Sequence, residues 1–283
     1  MAFEEKLLLG TVVAKTKTEE LSIRTQELKR GGVIPKLCIM RVGERPDDIS
    51  YERGAVKRMQ NIGIEAEVQT FAQSITQDEF LQALEKNNKD ESIHGILIFM
   101  PLPKQLDVDE IKATILPSKD VDCISPANVA KLLTGEEGLV PCTPMAVIEL
   151  MKYHDIEMQG KHVVVIGRSM VVGKPLSMLL LRENATVTVC HSKTGGLDRL
   201  CRDADLVVCA LGKSKFLTSK YVNEKSIVID VGIHVDEEGN MNGDVNFDDV
   251  APVVAKITPV PRGVGSITTV VLAKQVLESA AKA

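Results

Sequence analysis

Along the chain, short apolar runs alternate with longer stretches in which apolar residues return every three or four positions. The runs predict buried strands, the 3.6-residue period predicts helices, and their alternation predicts parallel β–α units. In the first half the strand-like runs are Lys36–Val42, Ile64–Phe71 and Ile93–Phe99. Residues 48–62 and 77–88 between them read as amphipathic helices, the second opened by Thr76 as its N-cap. The second half repeats the rhythm with Val163–Gly167, Ala185–Cys190, Asp205–Gly212, Ser226–Ile233 and Lys256–Pro261. Five short strands with intervening helices predict a Rossmann-like doubly wound sheet. A connecting helix is expected over Pro141–Tyr153, and a last helix over Ser266–Ala281.

The fold class expected is α/β with two domains, and the change of domain falls near residue 145. That assigns 1–145 to an N-terminal α/β domain and 146–265 to the doubly wound one. Length agrees: 283 residues at roughly 150 per domain make two. With 44% hydrophobic and 26% charged residues the chain has material for packed cores, which excludes a disordered or fibrous protein.

A net charge of -5 gives no reason to expect nucleic acid or an anionic membrane as partner. Six Phe, three Tyr and no Trp make a base-stacking platform improbable. Six cysteines without a CxxC pair read as small buried hydrophobes in a reducing cytosol. The opening MAFEEKLLLG is too acidic and too short in apolar residues for a signal peptide, and no run reaches the ~18 residues of a membrane span. A cytoplasmic protein is expected.

The segment Gly167-Arg-Ser-Met-Val-Val-Gly173 follows a buried strand and opens a helix at Lys174-Pro175. This is where a dinucleotide loop stands: small residues let the backbone approach a pyrophosphate, and the helix start offers amide donors. Ser169 holds the second glycine position of the usual pattern, and an ordinary strand-to-helix turn is the competing reading. At the end of the next strand, Cys190-His-Ser-Lys-Thr194 supplies hydroxyls and a cation but no carboxylate. A bare ribose lacks its usual acceptor there, whereas a 2′-phosphate is welcomed by Ser192, Lys193 and Arg168. NADP is expected over NAD, against the alternative of a solvated basic turn.

GRSMVVGKP, CHSKT, IVIDVGI, GDV and ITPVP-x-GVG, together with HGILIFMPLP, KDVD and PCTP, resemble the methylenetetrahydrofolate dehydrogenase/cyclohydrolase family from about Leu37 to the end. The resemblance implies a two-domain homodimer with a cleft between the domains, the C-terminal helix (266–283) returning to the first. It implies oxidation of 5,10-methylenetetrahydrofolate with NADP, then hydrolysis of the methenyl product to 10-formyltetrahydrofolate. By position, Gly167, Arg168, Ser169, Gly173, Ser192 and Ile233 would contact NADP. Tyr51, Phe99, Asp122 and the loop Pro261, Gly263, Gly265 would line the folate pocket.

The sequence departs from the family at its centre. The family's Tyr-x-x-x-Lys puts both side chains on one helix face; here it reads Tyr51-Glu-Arg-Gly-Ala55. Lys57 falls on the opposite face. Arg58, seven residues from Tyr51, is the better geometric substitute, able to add positive charge but not to act as a base. Phe99 stands where a glutamine would orient the lysine, so both partners are lost together, which strands neither. Cys123 and Arg262 replace glycines, and Ser266 replaces a proline.

Hydride transfer needs mainly alignment, whereas hydrolysis needs proton management. The dehydrogenase is therefore expected to outlast the cyclohydrolase, with Tyr51, Asp122 and Arg58 as the catalytic candidates. The bland alternatives are Tyr51 as a packing residue and Asp122 as a turn cap. For the whole chain they are a non-catalytic NADP- or folate-binding paralogue and a different two-domain dehydrogenase. The histidines lack ligand spacing, so no metal is expected, and Asp236-Glu-Glu238 reads as an exposed turn.

Overall fold

A computed structural model describes residues 3–236 and 238–282. The first helix, α1 (Gly10–Arg30), was not legible in the apolar pattern: it buries Val13, Ala14, Leu21 and the polar Thr25 while Ile23 points outward. The expected units then follow in order: β1 (Lys36–Val42), α2 (Pro46–Ile62), β2 (Glu65–Phe71), α3 (Gln77–Lys89) and β3 (Gly95–Ile98). Thr76 caps α3 as expected, in a reciprocal capping box with Glu79. Two short helices that the pattern does not predict, α4 (Val108–Thr114) and α5 (Pro126–Thr134), precede α6 (Cys142–Tyr153).

The three strands form a parallel sheet in the order β2-β1-β3. The central β1 is a near-continuous apolar run because both its faces are covered. Cys38 and Met40 from β1, Ile96 and Ile98 from β3, and Phe80 and Leu84 from α3 share one core.

The second half continues with β4 (His162–Ile166), α7 (Gly173–Arg182), β5 (Thr186–Cys190), α8 (Leu197–Arg202), β6 (Leu206–Cys209) and β7 (Ile227–Asp230). A two-residue hairpin, β8 (His234–Val235) and β9 (Met241–Asn242), leads to α9 (Phe247–Val250) and β10 (Lys256–Ile257). The parallel five-stranded sheet runs β10-β7-β6-β4-β5. The chain starts it at β4, steps outward to β5, then returns across β4 to β6, so the order reverses between β4 and β6. That reversal is the switch point at whose carboxyl end α/β sheets bind their ligands. In the hairpin turn, Asp236 accepts from the backbone N–H of Glu238 and Asn240; Glu237, also expected in this turn, lies outside the described residues.

The last helix is α10 (Thr268–Ala280). The chain divides into two compact units, one of residues 16–142 with 269 onward, the other of residues 143–268 with the stretch up to Lys15. The amino-terminal stretch thus groups with the five-stranded sheet, where Leu8 N–H donates to Ile257 O (2.9 Å), although it reads in sequence as part of the first half. Within the first unit, Gln275 of α10 donates to Val121 O (2.6 Å) and accepts from Val140 N–H (2.7 Å).

Candidate active site

The loop 167–173 leaves β4 at the switch point. Gly167 has φ +134°, and a Cβ there would lie 2.2 Å from Ala210 O, beyond the end of β6. A Cβ on Gly173, the first residue of α7, would lie 2.1 Å from Gly167 O. Both glycines are therefore demanded by backbone packed on backbone, while Arg168, Ser169, Met170 and Val171 between them are exposed. Ser169 Oγ accepts from Val172 N–H (3.1 Å), which shapes the loop without a second glycine. On the neighbouring strand, paired with β4 through Ile166↔Cys190, the turn after β5 presents Ser192 and Lys193 to solvent. Thr194 Oγ1 and His191 Nδ1 hold that turn by accepting from His191 N–H and Lys193 N–H (2.9 and 3.1 Å). Adjacent strand ends lie about 5 Å apart, so the glycine cradle and a basic, carboxylate-free turn adjoin. This fits a dinucleotide bearing a 2′-phosphate.

Two buried aspartates, missed in the sequence, set the ends of β6 and β7. Asp230, 3% exposed, accepts from Gly232, Asp244 and Val245 N–H at 2.9–3.0 Å. Asp244, fully buried, accepts from Leu211, Gly212 and Lys213 N–H, and its Oδ1 lies 2.7 Å from His234 Nε2. Burial pushes Asp230 up to about 7 against the pull of its three N–H donors. The signal was present in IVIDVGI and GDV, but fourteen residues separate the two acids and only the sheet joins them.

The other candidate residues stand at the carboxyl ends of the three-stranded sheet. Tyr51, on the first turns of α2, is 37% exposed, and its ring meets that of Phe99 edge-on, centroids 5.8 Å apart at 73°. Ala55, one turn further on, is fully buried, and Lys57 is exposed. The start of α2 is anchored by a buried ion pair, Arg41 Nε to Glu52 Oε2 at 2.6 Å, with Arg41 also donating to Gly43 O. Arg58 is in line with Tyr51 by count, and its guanidinium donates to Thr18 Oγ1 (2.7 Å) and Thr269 Oγ1 (3.3 Å), tying α2 to α1 and α10.

Asp120 and Asp122 divide the roles that the sequence could not separate. Asp120 is the turn cap, accepting from Ile124 and Ser125 N–H and from Asn128 Nδ2 at 2.8–3.0 Å. Asp122 accepts from Cys142, whose backbone N–H lies 3.3 Å away and whose thiol also hydrogen-bonds it, and burial pushes its carboxyl up to about 6. Cys123 beside it has φ +56° and Arg262 has φ +82°. Both positions where the resemblance calls for glycine thus keep left-handed backbone under a side chain.

In the other unit Pro261, Gly263 and Gly265 line a cavity of about 250 Å³ with Asp230, Ile233 and Met241. Ile233 is 58% exposed at its edge. A larger cavity of about 980 Å³, lined by His94, Lys119 and Ser279 among others, contains none of the candidate residues. It lies by the amino ends of β1 and β3, away from the carboxyl ends where the candidates gather. Among the described residues no cluster of three or more His, Cys, Asp or Glu could hold a metal, and no helix is long and apolar enough to cross a membrane. All six cysteines are free and buried.

A doubly wound sheet with a glycine cradle at its switch point defines an α/β dinucleotide-binding protein carrying a second α/β unit. The chain belongs to the tetrahydrofolate dehydrogenase/cyclohydrolase family: residues 8–122 match the family's catalytic domain and residues 141–283 its NAD(P)-binding domain. It is 54% identical over 274 residues to the bifunctional protein FolD of Alkaliphilus oremlandii, covering 96% of each chain. The crystal structure of the bifunctional FolD dehydrogenase/cyclohydrolase of Campylobacter jejuni superposes with a TM-score of 0.95 at 40% identity, covering 98% of both chains. The Trypanosoma brucei enzyme, complexed with NADP cofactor and inhibitor, superposes with a TM-score of 0.92 at 34% identity, covering 98% of this chain and 97% of that one.

Proposed function

We propose that this chain oxidises 5,10-methylenetetrahydrofolate to the methenyl form with NADP, and that its hydrolysis of the methenyl product is much the weaker activity. Family membership supports the substrate and the paired reactions. The observation that carries the imbalance is the Tyr51–Phe99 ring contact beside a fully buried Ala55.

NADP, when bound, supplies the hydride acceptor. The glycines at 167 and 173 would let the backbone close on its pyrophosphate, Arg168, Ser192 and Lys193 would hold the 2′-phosphate, and Ser169 and Ile233 would contact the cofactor. Tyr51 and Phe99 give the folate an aromatic wall, and Asp122 accepts from the pterin amino group. The family resemblance adds Pro261, Gly263 and Gly265 to the residues that contact folate. Orientation of this kind suffices for hydride transfer. Hydrolysis also needs a group that moves a proton to and from attacking water. Ala55 and Phe99 remove that group and its partner, and Arg58, held by two threonines, serves to fix α2. The same family reading carries a homodimer and a cytoplasmic setting.

The test is to follow nicotinamide absorbance with methylenetetrahydrofolate and NADP, then the decay of methenyltetrahydrofolate on the same preparation. Reduction of NADP with methenyl decay near the uncatalysed rate is expected. Rapid hydrolysis without hydride transfer would overturn the reading.

A further inference from the structure

Gln275 of α10 is 3% exposed, and both heavy atoms of its amide are engaged. Its Oε1 accepts from Val140 N–H (2.7 Å), which fixes the orientation of the amide because only an oxygen can accept there. Its Nε2 therefore turns its two hydrogens to Val121 O (2.6 Å) and to Cys142 Sγ (3.4 Å). All four residues belong to the unit of the three-stranded sheet, and the backbone they bracket carries Asp122. Two of the bonds brace α10 against the neighbouring backbone. The third acts on a thiol that itself bonds Asp122.

The Cys142 thiol has one hydrogen and two acceptors in reach, Val121 O at 3.4 Å and the Asp122 carboxylate. Val121 O already takes the shorter bond from Gln275, and an ionised carboxylate is the stronger acceptor. Donation from Nε2 to the sulfur also strengthens the thiol as a donor. The chain of hydrogen bonds thus runs from Gln275 through Cys142 to Asp122, and Cys142 N–H adds a second bond to the same carboxylate (3.3 Å). The other titratable groups that bear on this chain are Asp120, whose negative charge opposes one on Asp122, and Cys123, which acts on Cys142.

We propose that Gln275 is a positioning residue for the substrate: it directs the thiol hydrogen of Cys142 onto Asp122 and so holds that carboxylate ready to accept from the pterin amino group. This rests on the folate reading above, in which Asp122 meets the pterin, and deepens it.

The test is calorimetric titration of the full chain with tetrahydrofolate from pH 5 to 8. The variants are Gln275→Met and Gln275→Glu, each alone and combined with Cys142→Ala, and Cys142→Ala and Cys142→Ser by themselves. Wild-type affinity should rise through pH 6. Gln275→Met should move that midpoint up by about one unit, weakening binding about fivefold at pH 6 and less than about twofold at pH 8. A brace alone would weaken binding by one factor at every pH. Cys142→Ala should give the same shift, and adding Gln275→Met to it should shift the midpoint no further. Cys142→Ser, which keeps a donor, should hold the midpoint at or below that of wild type. Gln275→Glu keeps the size and the oxygen that accepts from Val140 but loses the hydrogen given to sulfur, so it carries the test if the methionine variant does not fold. Its shift too should vanish on Cys142→Ala, as that of a mere added charge would not. An unmoved midpoint in the folded Gln275 variants, or shifts that add in the double variants, would overturn the proposal. The folate reading fails by a separate measurement, Asp122→Asn binding tetrahydrofolate as wild type does at every pH.

Discussion

Phe99 meets Tyr51 edge-on, ring centroids 5.8 Å apart, at the carboxyl end of β3 and one helical turn from the buried Ala55. Edge-to-face contact is a favoured arrangement of two aromatic rings. The family resemblance expects a lysine at position 55 and, at position 99, the amide that orients it. The two departures form one unit, because either polar partner alone would be buried without the other.

Restoring the pair should therefore be non-additive. Ala55→Lys alone is expected to lower the melting temperature and leave methenyl hydrolysis nearly unchanged. Ala55→Lys with Phe99→Gln should raise hydrolysis by on the order of 100-fold, the lower part of what a positioned proton-transfer group contributes. Decay of methenyltetrahydrofolate absorbance measures it. A double variant no faster than the better single would show that the contact is unrelated to the imbalance.

Asp122 gives a pH signature. Its carboxyl is pushed up to about 6 by burial, from an ordinary 3.8. The folded chain therefore binds this proton more tightly than the unfolded chain does, so the contribution to stability is present at low pH and is lost as pH rises from about 4 to about 6. Acceptance of a pterin N–H runs the other way, since only the ionised form accepts with both oxygens. Tetrahydrofolate affinity should rise through pH 6 and level off above it, and Asp122→Asn should bind more weakly with a flat profile from pH 5 to 8. The same pH dependence in the asparagine variant would exclude Asp122 from the substrate.

The Arg41–Glu52 pair, with side chains 9% and 15% exposed, holds the turn of α2 that carries Tyr51. Removing one member of such a pair leaves a buried charge alone, which costs about 3 kcal/mol or more. Glu52→Ala should lower unfolding free energy by roughly that amount in urea titration and raise the folate KM through displaced Tyr51. A loss well below 1 kcal/mol would mean that water reaches Arg41 as readily as Glu52 does.

Most strands of the two parallel sheets were legible as short apolar runs: Lys36–Val42 is found as read, and the five runs of the second half all fall in the parallel sheet. Their sequence ends were too long, since runs such as Lys256–Pro261 continue as extended loop beyond the two residues that pair. Helix α1 was hidden because its inward face includes Gly10 and Thr25 while Ile23, 61% exposed, lies outside. For Arg58, counting along a helix gives the face, whereas the hydroxyls of Thr18 and Thr269 that its guanidinium reaches come from elsewhere in the chain. Asp230 and Asp244 carried no visible motif logic until strand ends brought backbone N–H groups to both.

Cofactor choice was the most local inference, and it admits the most direct check. The carboxyl ends of β4 and β5 adjoin through Ile166↔Cys190, with Arg168 on one side and Ser192 and Lys193 exposed on the other. An acid at 192 would serve as acceptor for a ribose hydroxyl and repel a phosphate at the same point. Ser192→Asp should lower kcat/KM with NADP and raise it with NAD, moving their ratio by about tenfold or more, equivalent to 1.4 kcal/mol. Lys193→Ala should raise the NADP KM and leave the NAD KM unaltered, because NAD lacks the 2′-phosphate that the exposed Lys193 charge would favour. Wild-type enzyme using NAD as well as NADP, or Lys193→Ala weakening both cofactors equally, would place the discrimination elsewhere. The glycine cradle supplies the control: Gly173→Ala drives a methyl to 2.1 Å from Gly167 O, so it should impair binding of both cofactors alike and leave their ratio in place.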